Sequence, residues 1–136
     1  MTTYIADSDV IIDFFNKKGS GHQLIERLIN TENVVISVIT LMEVRRGWDT
    51  EHAEKLRPIL YALFPALTVT AKIADYAGEQ WNTYKSHGVT LSTTDTLIAA
   101  TAILNDYCLI TRNIKDFPMP ELDLYQDAES SILIGN

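Results

Sequence analysis

The chain of 136 residues has one cysteine, Cys108, so no internal disulfide can close. This fits a reducing compartment and sets aside the disulfide scaffolds of small secreted proteins. No apolar run approaches the roughly 20 residues needed to cross a bilayer. The N-terminus lacks a basic stretch followed by an apolar one, so no secretory signal is expected and the expected setting is the cytoplasm. Basic charge is also scarce. Eleven Lys and Arg face eighteen Asp and Glu, a net charge of −7. A protein that grips nucleic acid mainly through phosphates carries a basic stripe, and this sequence has none. Any action on a polynucleotide must then rest on a small local patch, a metal ion or a partner chain.

What is present is hydrophobic content of 46% without repeats or low-complexity linkers, as expected for one domain over residues 1–136. Short β-branched runs alternate with longer helical patterns. "TYIA" and "VVISVI" (34–39) read as buried strands, "LTVT" (67–70) as a weaker one, "YCLIT" (107–111) as a fourth and "LDLY" (122–125) as an edge strand. Helical faces recur in 22–30 (Leu24, Ile25, Leu28, Ile29), in 52–64 (Leu56, Ile59, Leu60, Leu63), in 72–85 (Ile73, Ala74, Ala77, Trp81, Tyr84) and in 93–105 (Leu97, Ile98, Thr101, Leu104). Pro58 marks a kink or a helix start. The alternation predicts an α/β fold with a mainly parallel sheet of four to five strands. The apolar tail "SSILIGN" is expected to pack on the domain or on a partner.

The acids fall at particular places in this pattern. In open parallel sheets, ligands bind beyond the carboxyl ends of the strands. Asp7 follows the first strand, in "YIADSD". Glu43, in "SVITLMEV", is expected in the first turn of the helix after the second strand. Asp95, in "LSTTDTLIAA", opens a later helix. Asn113 and Asp116 follow the fourth strand in "LITRNIKDF". Four carboxylates distant in sequence would thus meet at one sheet edge. Two carboxylates about 4 Å apart repel by roughly 4 kcal/mol at an effective dielectric near 20. Such a cluster takes up protons or holds a cation. All its donors are oxygen, which suits Mg²⁺ or Mn²⁺ rather than Zn²⁺. The natural reaction is hydrolysis of a phosphodiester.

The ordered set "YIADSDVIID", "SVITLMEV", "STTDTLIAATA" and "LITRNIKDF" resembles the PIN domain family, most closely its VapC-type toxin ribonucleases, over nearly the whole chain. The resemblance implies a three-layer α/β/α sandwich and a Mg²⁺- or Mn²⁺-dependent endoribonuclease, the toxin of a toxin–antitoxin pair. It carries the family's catalytic and metal-binding acids onto Asp7, Glu43, Asp95 and Asp116. It further implies an RNA substrate, a cognate antitoxin protein and a homodimer, with no membrane. Two positions depart from the family pattern. Asp9 stands where Asn or Ser is common, and Asn113 stands where some members have an acid. The fourth ligand is therefore open between Asp116, directly or through water, and no fourth protein carboxylate at all.

Each acid also has a structural reading. Thr40 to Glu43 and Ser92 to Asp95 have the form of capping boxes, and acids in a first turn favour the helix dipole. Asp7 could cap a strand end, and Asp9 could cap a helix from Val10 to Phe15, with Asp13 on that helix's solvated face. Ser8 and Thr111, with Asp9 and Asn113, are candidates for orienting the ligands. Arg45, Arg46, Arg112 and Lys115 are candidates for RNA phosphates. His22, His52 and His87 read as surface residues, Trp48 and Trp81 as core or interface. Two alternatives stay open: a haloacid-dehalogenase-like phosphatase with Asp7 as nucleophile, from "ADSDVII", and a PIN-like binding module without activity.

Overall fold

A computed structural model describes residues 2–126. The first strand, β1 (Thr3–Ala6), leads into two helices, α1 (Ser8–Asn16) and α2 (Gly19–Thr31). β2 (Asn33–Ser37) is followed by α3 (Val38–Arg45) and α4 (Thr50–Leu63). β3 (Ala66–Leu67), α5 (Ala71–Ser86), α6 (Thr93–Asn105), β4 (Cys108–Ile110), a 3₁₀ turn at Ile114–Asp116 and β5 (Asp123–Leu124) complete the order. The strands form one sheet in the order β3-β2-β1-β4-β5, every neighbouring pair parallel. The tail "SSILIGN" lies outside the described residues.

Alternation along the strands makes the three layers. Ala6, Val34, Ile36 and Ile110 face one side, packed with Val10, Ile11, Leu24, Ile25, Leu60 and Phe64. Ile5, Val35 and Leu109 face the other, packed with Ile98, Ala99, Ala102 and Phe117. Successive strand residues point to opposite faces, and a parallel sheet covered on both sides needs apolar residues at every position. That explains the unbroken runs "YIA" and "CLI". The α/β/α sandwich and the five-stranded parallel sheet are as expected. Trp81 belongs to the second core and donates from Nε1 to the Leu91 carbonyl at 3.0 Å. Trp48 packs edge-on to Phe15 at 5.2 Å.

Several local expectations are corrected. The second strand ends at Ser37, two residues before the β-branched run does. Ser37 accepts a hydrogen bond from the Ile39 amide at 3.0 Å and caps α3. Thr40 is therefore not a cap. It is fully buried inside the helix, and its hydroxyl has no hydrogen-bond partner among the described residues. Glu43 consequently stands in the second turn of α3. Asp7, not Asp9, is the N-cap of α1, which starts at Ser8. Asp13 is buried rather than solvated, because Arg112 reaches it from the far end of the chain. Pro58 lies inside α4, which begins at Thr50 under an Asp49 cap, and Ile59 is exposed. His22 is half-buried, between Phe14 and Glu26.

Candidate active site

β1 sits between β2 and β4, so the chain leaves the centre of the sheet at Asp7. The Asp7 amide extends the ladder to the Ile110 carbonyl at 2.9 Å. Asp7 and Thr111 thus emerge side by side from adjacent parallel strands. The helices that follow or precede these strands run back along the sheet. The N-termini of α1, α3 and α6 therefore lie toward the carboxyl edge, where a parallel sheet offers its crevice.

Asp7 is 5% exposed. Its Oδ1 accepts from the Ser8 amide at 2.8 Å, and its Oδ2 accepts from the Thr111 hydroxyl at 2.8 Å. Thr111 Oγ1 in turn accepts from the Asn113 amide at 3.0 Å, which leaves its single proton for Asp7. Burial first, and then the charges of Asp9 and Asp95, push the Asp7 carboxyl up to about 7, against the pull of the two hydrogen bonds. Asp9 lies next to it and is fully engaged. Its Oδ1 accepts from Val10 N at 2.7 Å, and its Oδ2 from Arg112 N at 2.8 Å and from Asn113 Nδ2 at 3.3 Å. Burial raises the Asp9 carboxyl as well.

Asp95 opens α6 with its amide on Ser92 Oγ at 3.0 Å, so the Ser92 cap expected from the sequence is formed. Its carboxyl is half-buried and raised, chiefly by burial and further by the charge of Asp116. Asp116 is exposed at the end of the 3₁₀ turn. The charges thus link Asp7 to Asp9 and to Asp95, and Asp95 to Asp116. Glu43 is half-buried on α3, and its ion pair is with Arg46, at 3.9 Å. Among the described residues, no three His, Cys, Asp or Glu side chains are close enough to hold a metal between them.

The four basic candidates separate into two kinds. Arg45 donates to the Trp48 carbonyl at 2.9 Å, closing the end of α3. Arg112 is spent on Asp13: Nε lies 2.9 Å from Oδ2, and Nη2 donates to Oδ1 at 3.3 Å. Arg46 and Lys115 are exposed. The sequence reading missed the Asp13–Arg112 pair, which joins positions 99 apart. No local pattern signals such a contact. Cys108 is buried in β4, its thiol pushed to about 12 by burial and by Asp123, so it is no nucleophile.

A parallel α/β/α domain with carboxylates gathered at the carboxyl edge of its central strands defines the class of protein. The chain belongs to the PIN domain family, whose pattern matches residues 4–118. This family replaces the haloacid-dehalogenase-like alternative. Among curated relatives, Ribonuclease VapC1 of Methanocaldococcus jannaschii is 30% identical over 113 residues, covering 83% of this chain and 77% of that protein. Ribonuclease VapC19 of Mycobacterium tuberculosis is 31% identical over 120 residues, covering 87% of this chain and 95% of that protein. Among solved structures, VapBC2 from Rickettsia felis, bound to a DNA fragment from its promoter, superposes with a TM-score of 0.79. It is 27% identical and covers 93% of this chain and all of the matched one. A toxin–antitoxin complex from Klebsiella pneumoniae gives a TM-score of 0.74 at 30% identity, covering 90% of this chain and 96% of the matched one.

Proposed function

We propose that the protein is a divalent-metal-dependent endoribonuclease, the toxin of a toxin–antitoxin pair, that hydrolyses RNA phosphodiesters at the Asp7 edge of the sheet. The observation that carries this is Asp7 itself. It is a desolvated carboxylate at the end of the central strand, aligned by Ser8 and Thr111 and facing the charges of Asp9 and Asp95. The curated relatives are named ribonucleases, which supplies the reaction class. The solved neighbours are complexes with an antitoxin, which supplies the partner class. A homodimer is part of the same proposal.

The donor set fits a hard cation. Every candidate ligand is a carboxylate oxygen, and Mg²⁺ keeps several waters and commonly takes only one or two carboxylates, so three converged side chains are not required. Asp7 and Asp95 are assigned as ligands, with Asp116 and Glu43 completing the catalytic set from its rim. Such an ion supplies charge neutralisation and Lewis acidity for phosphodiester hydrolysis. The chain's own part is orientation. Thr111 and Ser8 each hold one Asp7 oxygen in place. Asp9 and Asn113 fix the loop behind Thr111. Exposed Arg46 and Lys115 flank the acids as phosphate contacts.

The test is cleavage of mixed structured and single-stranded RNAs by the purified protein with Mg²⁺, with Mn²⁺ and with EDTA. Asp7→Asn and Asp95→Asn variants are assayed alongside. Metal-dependent cutting that falls at least about a hundredfold in both variants is expected, from the loss of charge stabilisation at the reacting phosphate. Cutting that persists in the variants or in EDTA would place the chemistry elsewhere. Failure of the wild type to bind Mn²⁺ in calorimetry would favour a binding module.

A further inference from the structure

Arg112 is tied to α1 at both of its ends. Its backbone amide donates to Asp9 Oδ2 at 2.8 Å, near the start of the helix. Its guanidinium meets Asp13 one turn further along, at 2.9 and 3.3 Å on the two carboxylate oxygens. The side chains are 26% and 8% exposed. Nη2 makes the hydrogen bond and Nε adds charge attraction at close range, so the contact sets the side chain's distance and direction together. Gly21 makes room for it from α2: a Cβ there would stand 2.5 Å from Asp13 Oδ2 and 3.0 Å from Asp13 Cβ. Two residues after Arg112 the chain enters the 3₁₀ turn that carries Asp116, held by Asp116 N to the Asn113 carbonyl at 2.9 Å.

We infer that the Asp13–Arg112 pair, accommodated by Gly21, is a strut that sets where the 111–116 loop sits relative to Asp7. Asp13 and Arg112 are thus positioning residues for the nuclease site, and Arg112 is not a phosphate contact. The inference rests on the endoribonuclease reading for its kinetic consequences but not for its structural ones. Asp7 is anchored in the sheet and Asp95 on α6. Asp116 is carried by an exposed turn whose ties to α1 run through Arg112 and through the Asn113 amide on Asp9. Releasing the guanidinium leaves, among the described residues, the Arg112 amide and Asn113 Nδ2 on Asp9 and the Thr111 hydroxyl on Asp7 to hold the loop.

Gly21→Ala is the sharpest probe. Gly21 lies on α2 beside Asp13, and alanine suits a helix better than glycine, so the change displaces Asp13 without weakening its own helix. With Arg112→Gln, Arg112→Lys, Asp13→Asn and the double variant Asp13→Asn/Arg112→Gln, it is assayed for kcat and KM on RNA at several salt concentrations. Mn²⁺ affinity is measured by calorimetry and hydrogen exchange at the 112–117 amides. Misplacement of a reacting group by about 1 Å can cost up to a hundredfold, so kcat should fall roughly tenfold to a hundredfold in Gly21→Ala, Asp13→Asn and Arg112→Gln. The salt dependence of KM should not change. The double variant should be no worse than the worse single one, as coupled partners require, and Arg112→Lys should recover part of the loss. Mn²⁺ affinity and amide protection should fall in step with kcat. A raised KM with a flatter salt dependence in Arg112→Gln, together with a silent Gly21→Ala, would make Arg112 a phosphate contact and overturn the strut. Should the wild type cut no RNA, the nuclease reading fails on its own. The strut then stands or falls on whether Gly21→Ala and Arg112→Gln lose protection at the Asn113 and Asp116 amides.

Discussion

At the scale of single residues, Asp7 decides how the protein responds to pH. Its carboxyl titrates near 3.8 in an unfolded chain and at about 7 in the fold, because burial and the neighbouring charges of Asp9 and Asp95 oppose ionisation. Between those values the folded state holds a proton that the unfolded state has released, so stability falls as pH rises through this window. The size of the loss above pH 7 is at most about 4 kcal/mol, from 1.36 kcal/mol per pKa unit. Asp9 and Asp95 are raised too and act in the same direction. The metal-free protein is therefore expected to melt at a lower temperature at pH 8 than at pH 5.5, and Asp7→Asn should remove much of that difference. Mn²⁺ should raise the melting temperature more at pH 8 than at pH 5.5, because it binds the ionised form. Calorimetric scans in EDTA and in Mn²⁺ check both statements. A wild-type melting temperature that is level or rises from pH 5.5 to 8 in EDTA would contradict the electrostatic picture of Asp7.

At the scale of elements, the start of α3 shows what a sequence can and cannot reveal. "VVISVI" is apolar throughout, and periodicity alone does not separate a buried strand from a buried helix start in so short a run. The break falls at Ser37, whose hydroxyl captures the Ile39 amide. The pattern Thr40 to Glu43 looked like a capping box one turn too late. Ser92 to Asp95 has the same form and does carry a cap, because Ser92 follows a loop and its hydroxyl is free to receive the Asp95 amide. Asp7 and Asp95 were legible because strand ends and helix starts are local signals. The burial of Asp13 was not, since its partner comes from the loop after β4. The capping assignment has a direct check by urea denaturation. Ser37→Ala should cost about 1 kcal/mol, the usual loss of an N-cap. Thr40→Val should be neutral or slightly stabilising, since it replaces a buried hydroxyl that has no partner among the described residues with a methyl of the same shape. The reverse order of effects would return the cap to Thr40.

At the scale of the whole molecule, the charge and the proposed substrate are in tension: a chain with net charge −7 is proposed to cut a polyanion. The fold sharpens the tension, because two of the four basic residues near the acids are committed internally, Arg45 to the Trp48 carbonyl and Arg112 to Asp13. Arg46 and Lys115 remain exposed to meet phosphates. Binding through so few contacts should depend weakly on salt. For single-stranded nucleic acid, log affinity falls with log salt at about 0.7 per phosphate contact, so two contacts give a slope of about −1.4. The salt dependence of kcat/KM for RNA cleavage at saturating Mg²⁺ should lie near that value. Arg46→Ala and Lys115→Ala should each flatten it by about 0.7, while Arg45→Ala should leave the slope alone and lower stability through the lost closure of α3. A slope steeper than about −3 would require more than four phosphate contacts. The nuclease surface would then have to draw basic residues from a second chain, and the slope should become shallower on dilution as that chain dissociates.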